Sequence, residues 1–240
     1  MNLSIIIPVF NEGRKIASDV KEAIAFLNKN NFTGEIIVVD DGSSDNTANT
    51  ARETAKNLST EILFKVISYE NNKGKGHAVR TGITQSKGDY VMFIDSGSCT
   101  TYENILDGLK LIENGDCDIA HGSRKLPHSK IKLKQSLYRR LCAVIFRLCV
   151  SYFVKITSNL TDTQCGFKIY RGDIARKLYS QCETDGFIFD IEIILLAQKA
   201  NFKIKEFPIE WTCDRDSRLR PEKSFHHIIS ELKTIKQKFT

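Results

Sequence analysis

The 240-residue chain predicts an α/β fold, a mostly parallel sheet covered by helices. Three observations carry that expectation. Short β-branched runs alternate with stretches of helical spacing through the first hundred residues. Each run stops at a polar turn. The turns after the first, second and fourth runs carry carboxylates: Glu12, the pair Asp40-Asp41, and Asp95.

Residues 3–9 read as the first strand, a buried run ending in the turn Pro8-Val9-Phe10-Asn11. Residues 16–27 then set Ile16, Val20, Ala23, Ile24 and Leu27 at helical spacing. A second strand, 35–39, stops at Asp40-Asp41-Gly42-Ser43-Ser44. The helix over 45–58 that follows has Ser43, Ser44 or Asp45 available as its N-cap. Residues 64–68 are a third strand, 76–86 a helix, and 90–94 a fourth strand ending at Asp95. The second half is less regular. Ile119 ends a fifth strand that runs into His121-Gly122-Ser123-Arg124, residues 136–155 form a long apolar helix, and 162–170 a compact turn and strand. A helix over 187–200, a strand over 203–211 and a last helix over 224–239 complete the chain. Residues 1–219 are expected as one domain and 220–240 as a C-terminal amphipathic helix.

Sheets of this kind bind ligands at the carboxyl ends of their strands, so the three acidic turns are expected to converge on one crevice. Gathered carboxylates repel bare phosphate. They tolerate it when one carboxylate reads a base or ribose and another holds a divalent cation against a pyrophosphate.

The formal charge is +6, and its placement matters more than its size. Between Ile119 and Thr161 there is no Asp or Glu, while nine Lys and Arg fall there, among them Arg124, Arg139, Arg140 and Arg147. Such a block suits phosphates, an anionic membrane or a solvated face. Nucleic acid is not the expected partner, because the block is interleaved with Leu, Ile, Val and Cys rather than with stacking aromatics. Its helix, about 131–156, is too short to span a bilayer and is interrupted by Arg147. It suits a peripheral position on a membrane surface, and equally a core helix or a contact with a second copy or a membrane-embedded partner. Met1 is followed directly by a strand-like run rather than a secretory signal, which places the expected work in the cytoplasm. The seven cysteines show no metal-ligand or redox spacing and are expected as reduced, packed thiols.

Four ordered stretches carry a resemblance: Ile5-Ile6-Ile7-Pro8-Val9-Phe10-Asn11-Glu12, Val38-Val39-Asp40-Asp41-Gly42-Ser43, Asn72-Lys73-Gly74-Lys75-Gly76-His77-Ala78-Val79-Arg80-Thr81-Gly82, and Asp162-Thr163-Gln164-Cys165-Gly166-Phe167-Lys168. Together they resemble the motifs of the inverting family 2 glycosyltransferases, and most of all the dolichyl-phosphate glucosyltransferases. The likeness runs from about residue 3 to about residue 219. It implies a nucleotide-diphospho-sugar domain of the GT-A type.

The resemblance also implies roles. Pro8, Phe10 and Glu12 would lie against the nucleotide, and of Asp40 and Asp41 the second would hydrogen-bond the base, as an acceptor-only carboxylate suits an imide N–H. Lys75, Gly76 and Arg80 would shape the loop facing the donor. Asp95 stands where the family places the first carboxylate of its metal motif, which implies Mg²⁺ or Mn²⁺. The triplet here is Asp95-Ser96-Gly97, so the second carboxylate is missing and metal binding is expected to be weaker. On the acceptor side Arg124 and Arg139 match phosphate-contacting arginines, whose fixed fork of donors suits that task. Gln164, Ser217 and Arg218 would contact the same acceptor. Asp190 and Glu192 occupy the region where other branches carry a catalytic base. Each assignment has a plainer alternative: Asp40 and Asp41 as helix caps, Asp95 as a strand-end cap, and the arginines as a solvated face.

The function these residues imply is transfer of glucose from UDP-glucose to a polyprenyl phosphate, with Asp95, Arg124 and Arg139 at the reacting centre. Two other functions compete: extension of a surface glycan, with Asp190 or Glu192 as base, and a silent nucleotide-sugar-binding protein, suggested by Gly97.

Overall fold

The computed structural model describes residues 2–58, 61–133, 136–154, 156, 160–213 and 221–239, without the side chains of 139, 140 and 221–227. In chain order the elements are β1 (Asn2–Val9), α1 (Ile16–Lys29), β2 (Thr33–Asp40), α2 (Thr47–Asn57), β3 (Leu63–Ser68), α3 (Lys75–Gln85), β4 (Tyr90–Ile94), α4 (Asn104–Glu113) and β5 (Ile119–Ser123). There follow β6 (Lys130–Leu133), α5 (Leu137–Phe153), β7 (Phe167–Arg171), α6 (Gly172–Gln181), α7 (Phe189–Lys199), β8 (Ile204–Pro208), β9 (Glu210–Thr212) and α8 (Pro221–Phe239).

Seven strands form one sheet in the order β3-β2-β1-β4-β7-β5-β8, parallel except for β7, which runs against both neighbours. β6 and β9 make a separate parallel pair. The sheet is buried on both faces, which is why its central strands are continuous Ile and Val runs rather than alternating ones. Successive side chains of a strand point to opposite faces. Accordingly Ile5, Ile7, Ile36, Val38 and Met92 pack with α1, α2 and α4, while Ile6, Ile37, Val39, Val91 and Phe93 pack with α3, α6 and α7. A third cluster joins Val150 and Val154 to Ile188, Ile191 and Leu195 and to Leu232 and Ile235 of α8.

The mostly parallel α/β sheet expected from the sequence is the one observed. Three details differ. Ile119 begins β5 rather than ending it. The strand expected over 203–211 is two strands in two sheets, parted at Ile209, which lets β8 extend the main sheet while β9 turns to pair with β6. The helix α4 is an element beyond those expected, although Ile105, Leu109 and Ile112 stand at helical spacing; a β-carbon on its central Gly108 would come within 2.5 Å of Ile169 and 2.9 Å of Phe207, so helix propensity yields to close packing on the sheet.

Candidate active site

The chain order places β2 on one side of β1 and β4 on the other, which makes the carboxyl ends of β1 and β4 the switch point of the sheet. The β1–β4 pairing stops at Ile6 and Phe93, and Pro8, which has no N–H to donate, lies beyond that last pair. A crevice opens there.

One wall is a set of knotted turns. The Asn11 amide donates to Ser43 Oγ at 2.8 Å, the Ser44 amide to Asn11 Oδ1 at 2.9 Å, and the Glu12 amide to Thr47 Oγ1 at 2.9 Å. Asp45 accepts from the Gly13 and Thr47 amides, so of the three cap candidates it is the one that binds the first turn of α2. Pro8 is buried, Phe10 is half-buried beside these turns, and Glu12 is 7% exposed with its carboxylate 3.6 Å from Lys15 Nζ.

The Asp40-Asp41 pair divides its work. Asp41 faces the loop before α3: the Lys73 amide donates to Oδ1 at 2.8 Å, and Asn72 Nδ2 and the Gly74 amide donate to Oδ2 at 2.8 and 3.0 Å. Burial raises the Asp41 pKa above the usual carboxylate range in spite of those donors. Asp40 accepts the Ser43 amide through Oδ1 and lines a cavity of about 310 Å³ with Ser43, Asp45, Ser68, Tyr69 and Glu70. That volume is at the lower end of ligand pockets, roughly 300–1,000 Å³.

Beyond Gly74 the chain turns into α3, and Lys75 reaches across the crevice to Asp95, Nζ to Oδ1 at 2.6 Å. Burial works against the Lys75 charge, but Asp95 and Asp190 outweigh it and hold its pKa above the ordinary lysine value. Gly76 and Arg80 hold this segment from behind. A β-carbon on Gly76 would meet the Thr184 carbonyl at 2.5 Å, and Arg80 donates to Asp185 Oδ1 and to the Cys182 carbonyl. Both therefore meet the 182–186 segment.

The opposite wall comes from the 162–166 turn and from β5. The Asp95 amide donates to the Gly166 carbonyl at 3.0 Å. Arg124 grips the buried Asp162 with Nε and Nη2, each at 2.7 Å, and its guanidinium lies over the Trp211 ring, 5.2 Å from the centroid. Burial alone would raise Asp162, but Arg124 outweighs it and holds the carboxyl below the usual range. Gln164 Nε2 is shut away from solvent and donates to no group among the described residues. Such an orphan calls for a ligand or a water. The Arg139 side chain and Ser217 and Arg218 lie outside the described residues.

The two carboxylates weighed as a base for a hydroxyl acceptor are paired with basic side chains. Asp190 is 3% exposed and accepts from Lys168 Nζ at 2.7 Å. Glu192 is 1% exposed and accepts from the Thr184 amide at 2.7 Å and from Lys238 Nζ at 2.8 Å, which ties α8 to the turn after α6. A residue the sequence reading missed is Asp19, which accepts from the Gly97 and Ser98 amides at 3.0–3.1 Å and fixes the turn after β4. Its signal was present: an Asp at i+3 from Ile16 and i−4 from Ala23, on the buried face of α1. Of the histidines, His121 is 1% exposed, and burial pushes its pKa well down, so it is a neutral packing residue. Among the described residues no three His, Cys, Asp or Glu side chains lie close enough to hold a metal ion.

Residues 4–179 match the family described as Glycosyl transferase family 2. Among curated proteins the chain is 33% identical over 246 positions to the dolichyl-phosphate beta-glucosyltransferase of Dictyostelium discoideum, covering 99% of this chain and 74% of that one. It is 30% identical to the human dolichyl-phosphate beta-glucosyltransferase, covering 99% and 75%. A solved structure of glucosyl-3-phosphoglycerate synthase from Mycobacterium tuberculosis, in complex with Mn²⁺, UDP and phosphoglyceric acid, is similar with a TM-score of 0.69 over 99% of this chain and 78% of that one. At 18% identity that likeness bears on the fold alone.

Proposed function

The chain belongs to glycosyl transferase family 2, and from that membership we propose that it moves glucose from UDP-glucose onto a polyprenyl phosphate of the dolichyl type, with inversion, at a membrane surface. The base contact expected of Asp41 passes to Asp40: both Asp41 oxygens accept from the 72–74 loop, and the nucleobase sits in the cavity beside Asp40 with that loop as its rim. Phe10 and the buried Pro8 and Glu12 close the nucleotide side, and the pyrophosphate lies against the Lys75 ammonium where it pairs with Asp95.

One observation carries the choice of acceptor. The two carboxylates that a hydroxyl acceptor would need as base, Asp190 and Glu192, are buried in hydrogen-bonded pairs, while Arg124 and the orphaned Gln164 amide stand at the other wall. A phosphate monoester needs no base, since it carries about −1.5 to −2 at neutral pH. One of its oxygens donates an electron pair to C1 of the sugar from the face opposite the leaving group. The bond from C1 to the β-phosphate oxygen breaks, and its pair stays on the nucleoside diphosphate. No proton moves, and two dianions become a monoanionic glycolipid and a trianionic diphosphate. The chain's task is to orient the two anions and offset their repulsion, which falls to Arg124, Lys75 and, on the helix α5, Arg139.

Mg²⁺ or Mn²⁺ at Asp95 was the expected cofactor. The donor set that the chain offers is thin: Asp95 is the single carboxylate of its triplet and its Oδ1 carries the Lys75 ammonium, so an ion would depend on Oδ2 and on the donor's own phosphates. No step is routed through an ion.

The membrane face is α5. Leu137, Leu141, Val144, Ile145, Leu148 and Tyr152 follow helical spacing and are 42–79% exposed, while Phe146, Cys149, Val150 and Phe153 on the opposite side pack against α7 and α8. In a stretch with nine Lys and Arg and no acidic residue between 119 and 161, this face is complementary to an anionic lipid surface. Among the described residues no helix is long and apolar enough to cross a membrane. The double change Leu141→Asp with Leu148→Asp is expected to weaken binding to anionic phospholipid vesicles at least tenfold, about 1.4 kcal/mol, with the melting temperature unchanged. Vesicle sedimentation measures it, and undiminished binding would remove α5 from the membrane.

Full-length protein given UDP-glucose and polyprenyl phosphate is expected to form an acid-labile glycolipid and UDP. Reaction with saccharide acceptors in place of the lipid phosphate would overturn the acceptor assignment.

A further inference from the structure

We propose that Lys75 supplies, from within the chain, the positive charge that a divalent ion would otherwise bring to the donor pyrophosphate beside Asp95, an assignment that rests on the transferase function above. Three features of the crevice support it.

The first is position. The Lys75 ammonium lies 2.6 Å from Asp95 Oδ1, an oxygen shut away from solvent, and the lysine side chain is about one-fifth exposed. Asp95 is its one ion-pair partner among the described residues, which leaves N–H donors for phosphate oxygens.

The second is how Lys75 is held. Gly74 has a φ of 106°, and a β-carbon there would come within 2.4 Å of the Asp185 carbonyl. The Gly76 and His77 amides donate to the Gly186 and Asp185 carbonyls at 3.2 and 3.1 Å. The residue between two tightly packed glycines thus has a fixed backbone, and the Asp95 carboxylate holds its ammonium at the end of the side chain.

The third is the turn that lacks the second carboxylate. Gly97 has a φ of 92°, and its amide and that of Ser98 are bound by the buried Asp19 carboxylate. A side chain at 97 would have to adopt a backbone conformation that L residues rarely take. The turn is built around glycine. Elsewhere Asp190 has Lys168 and Asp162 has Arg124, so these two carboxylates, like Asp95, have a cation of the chain beside them.

In the transfer step Lys75 would contact the β-phosphate. As C1 leaves, the diphosphate goes from two negative charges to three, and the ammonium is already in place to meet the third without rearrangement.

The test is calorimetric titration of the full chain with UDP-glucose, in EDTA and in Mg²⁺ or Mn²⁺, together with turnover under the same conditions. Wild type is expected to bind the donor within about threefold of the same Kd with and without metal. Lys75→Met is expected to lose about 100-fold in kcat/KM and to regain part of it with Mn²⁺, which wild type does not. Lys75→Arg, which keeps the charge, should retain more than Lys75→Met and serves if the methionine variant folds poorly. Donor binding by wild type that disappears in EDTA and returns with metal would overturn the Lys75 role and leave the transferase function standing. No donor binding under any condition would overturn that function and the Lys75 role with it.

Discussion

Alanine in place of Gly166 is expected to cut sugar transfer by about 100-fold or more while leaving the protein folded. A β-carbon at 166 would lie 2.0 Å from Asp95 Oδ2 and 2.1 Å from its Cγ, far inside any contact distance. The backbones cannot part cheaply, because the Asp95 amide is bonded to the Gly166 carbonyl at 3.0 Å. The Asp95 side chain, 39% exposed, is the part free to move, and it would swing out of the crevice and off Lys75. Misplacing a reacting group by about 1 Å costs roughly two orders of magnitude, whereas the fold loses one partly exposed ion pair worth at most about 1 kcal/mol. Steady-state kinetics with a parallel thermal melt separates the two effects. Activity within threefold of wild type would mean that Asp95 does not act from where it stands.

Lys168→Met is expected to destabilise the protein by about 3–5 kcal/mol, the usual cost of removing one partner of a buried ion pair. Lys168 is fully buried, and Nζ donates to Asp190 Oδ1 and to the Cys165 carbonyl, both at 2.7 Å, above the Phe93 ring. Without it Asp190 is a buried carboxylate with no cation in contact. Removing both charges, Lys168→Met with Asp190→Leu, is expected to restore at least half of the loss, since a well-packed apolar pair avoids the desolvation of two ions. Urea unfolding of the four proteins closes the cycle. If the double variant is no more stable than the single one, the pair contributes through the Cys165 carbonyl and the 162–166 turn instead. The pair also governs how an Asp190→Asn variant is interpreted: lost activity would first report a disturbed floor of the crevice, so stability has to be measured alongside it.

Much of the molecule was legible before any coordinates. The boundaries of β1, β2, β3 and β4 fall within two residues of those expected: β1, β2 and β4 are largely buried on both faces and so are apolar runs visible locally, while β3, at the sheet edge, is a shorter run around Lys65 that stops at Ser68. The turns bearing Glu12, Asp40-Asp41 and Asp95 were found for the same reason, each being the point where a run stops. Less was visible in the second half. The helix α6 begins where β7 ends, with only a few apolar positions to mark it, and α4 carries at its centre a glycine of low helix propensity that the sheet requires.

The sequence alone determined the architecture and which residue types meet at the carboxyl edge, because both follow from the period of burial and from the order of the strands. Only the tertiary structure decided what each side chain faces. Asp41 turns to the loop 31–33 residues ahead, Asp19 to a turn 78 residues on, and Arg80 to Asp185 at a separation of 105. Lys75 likewise meets Asp95 only because α3 is seated against the 184–186 segment. Pairings of that span depend on how strands register and helices seat against one another, and a shift of one residue would turn every one of those side chains to a different partner.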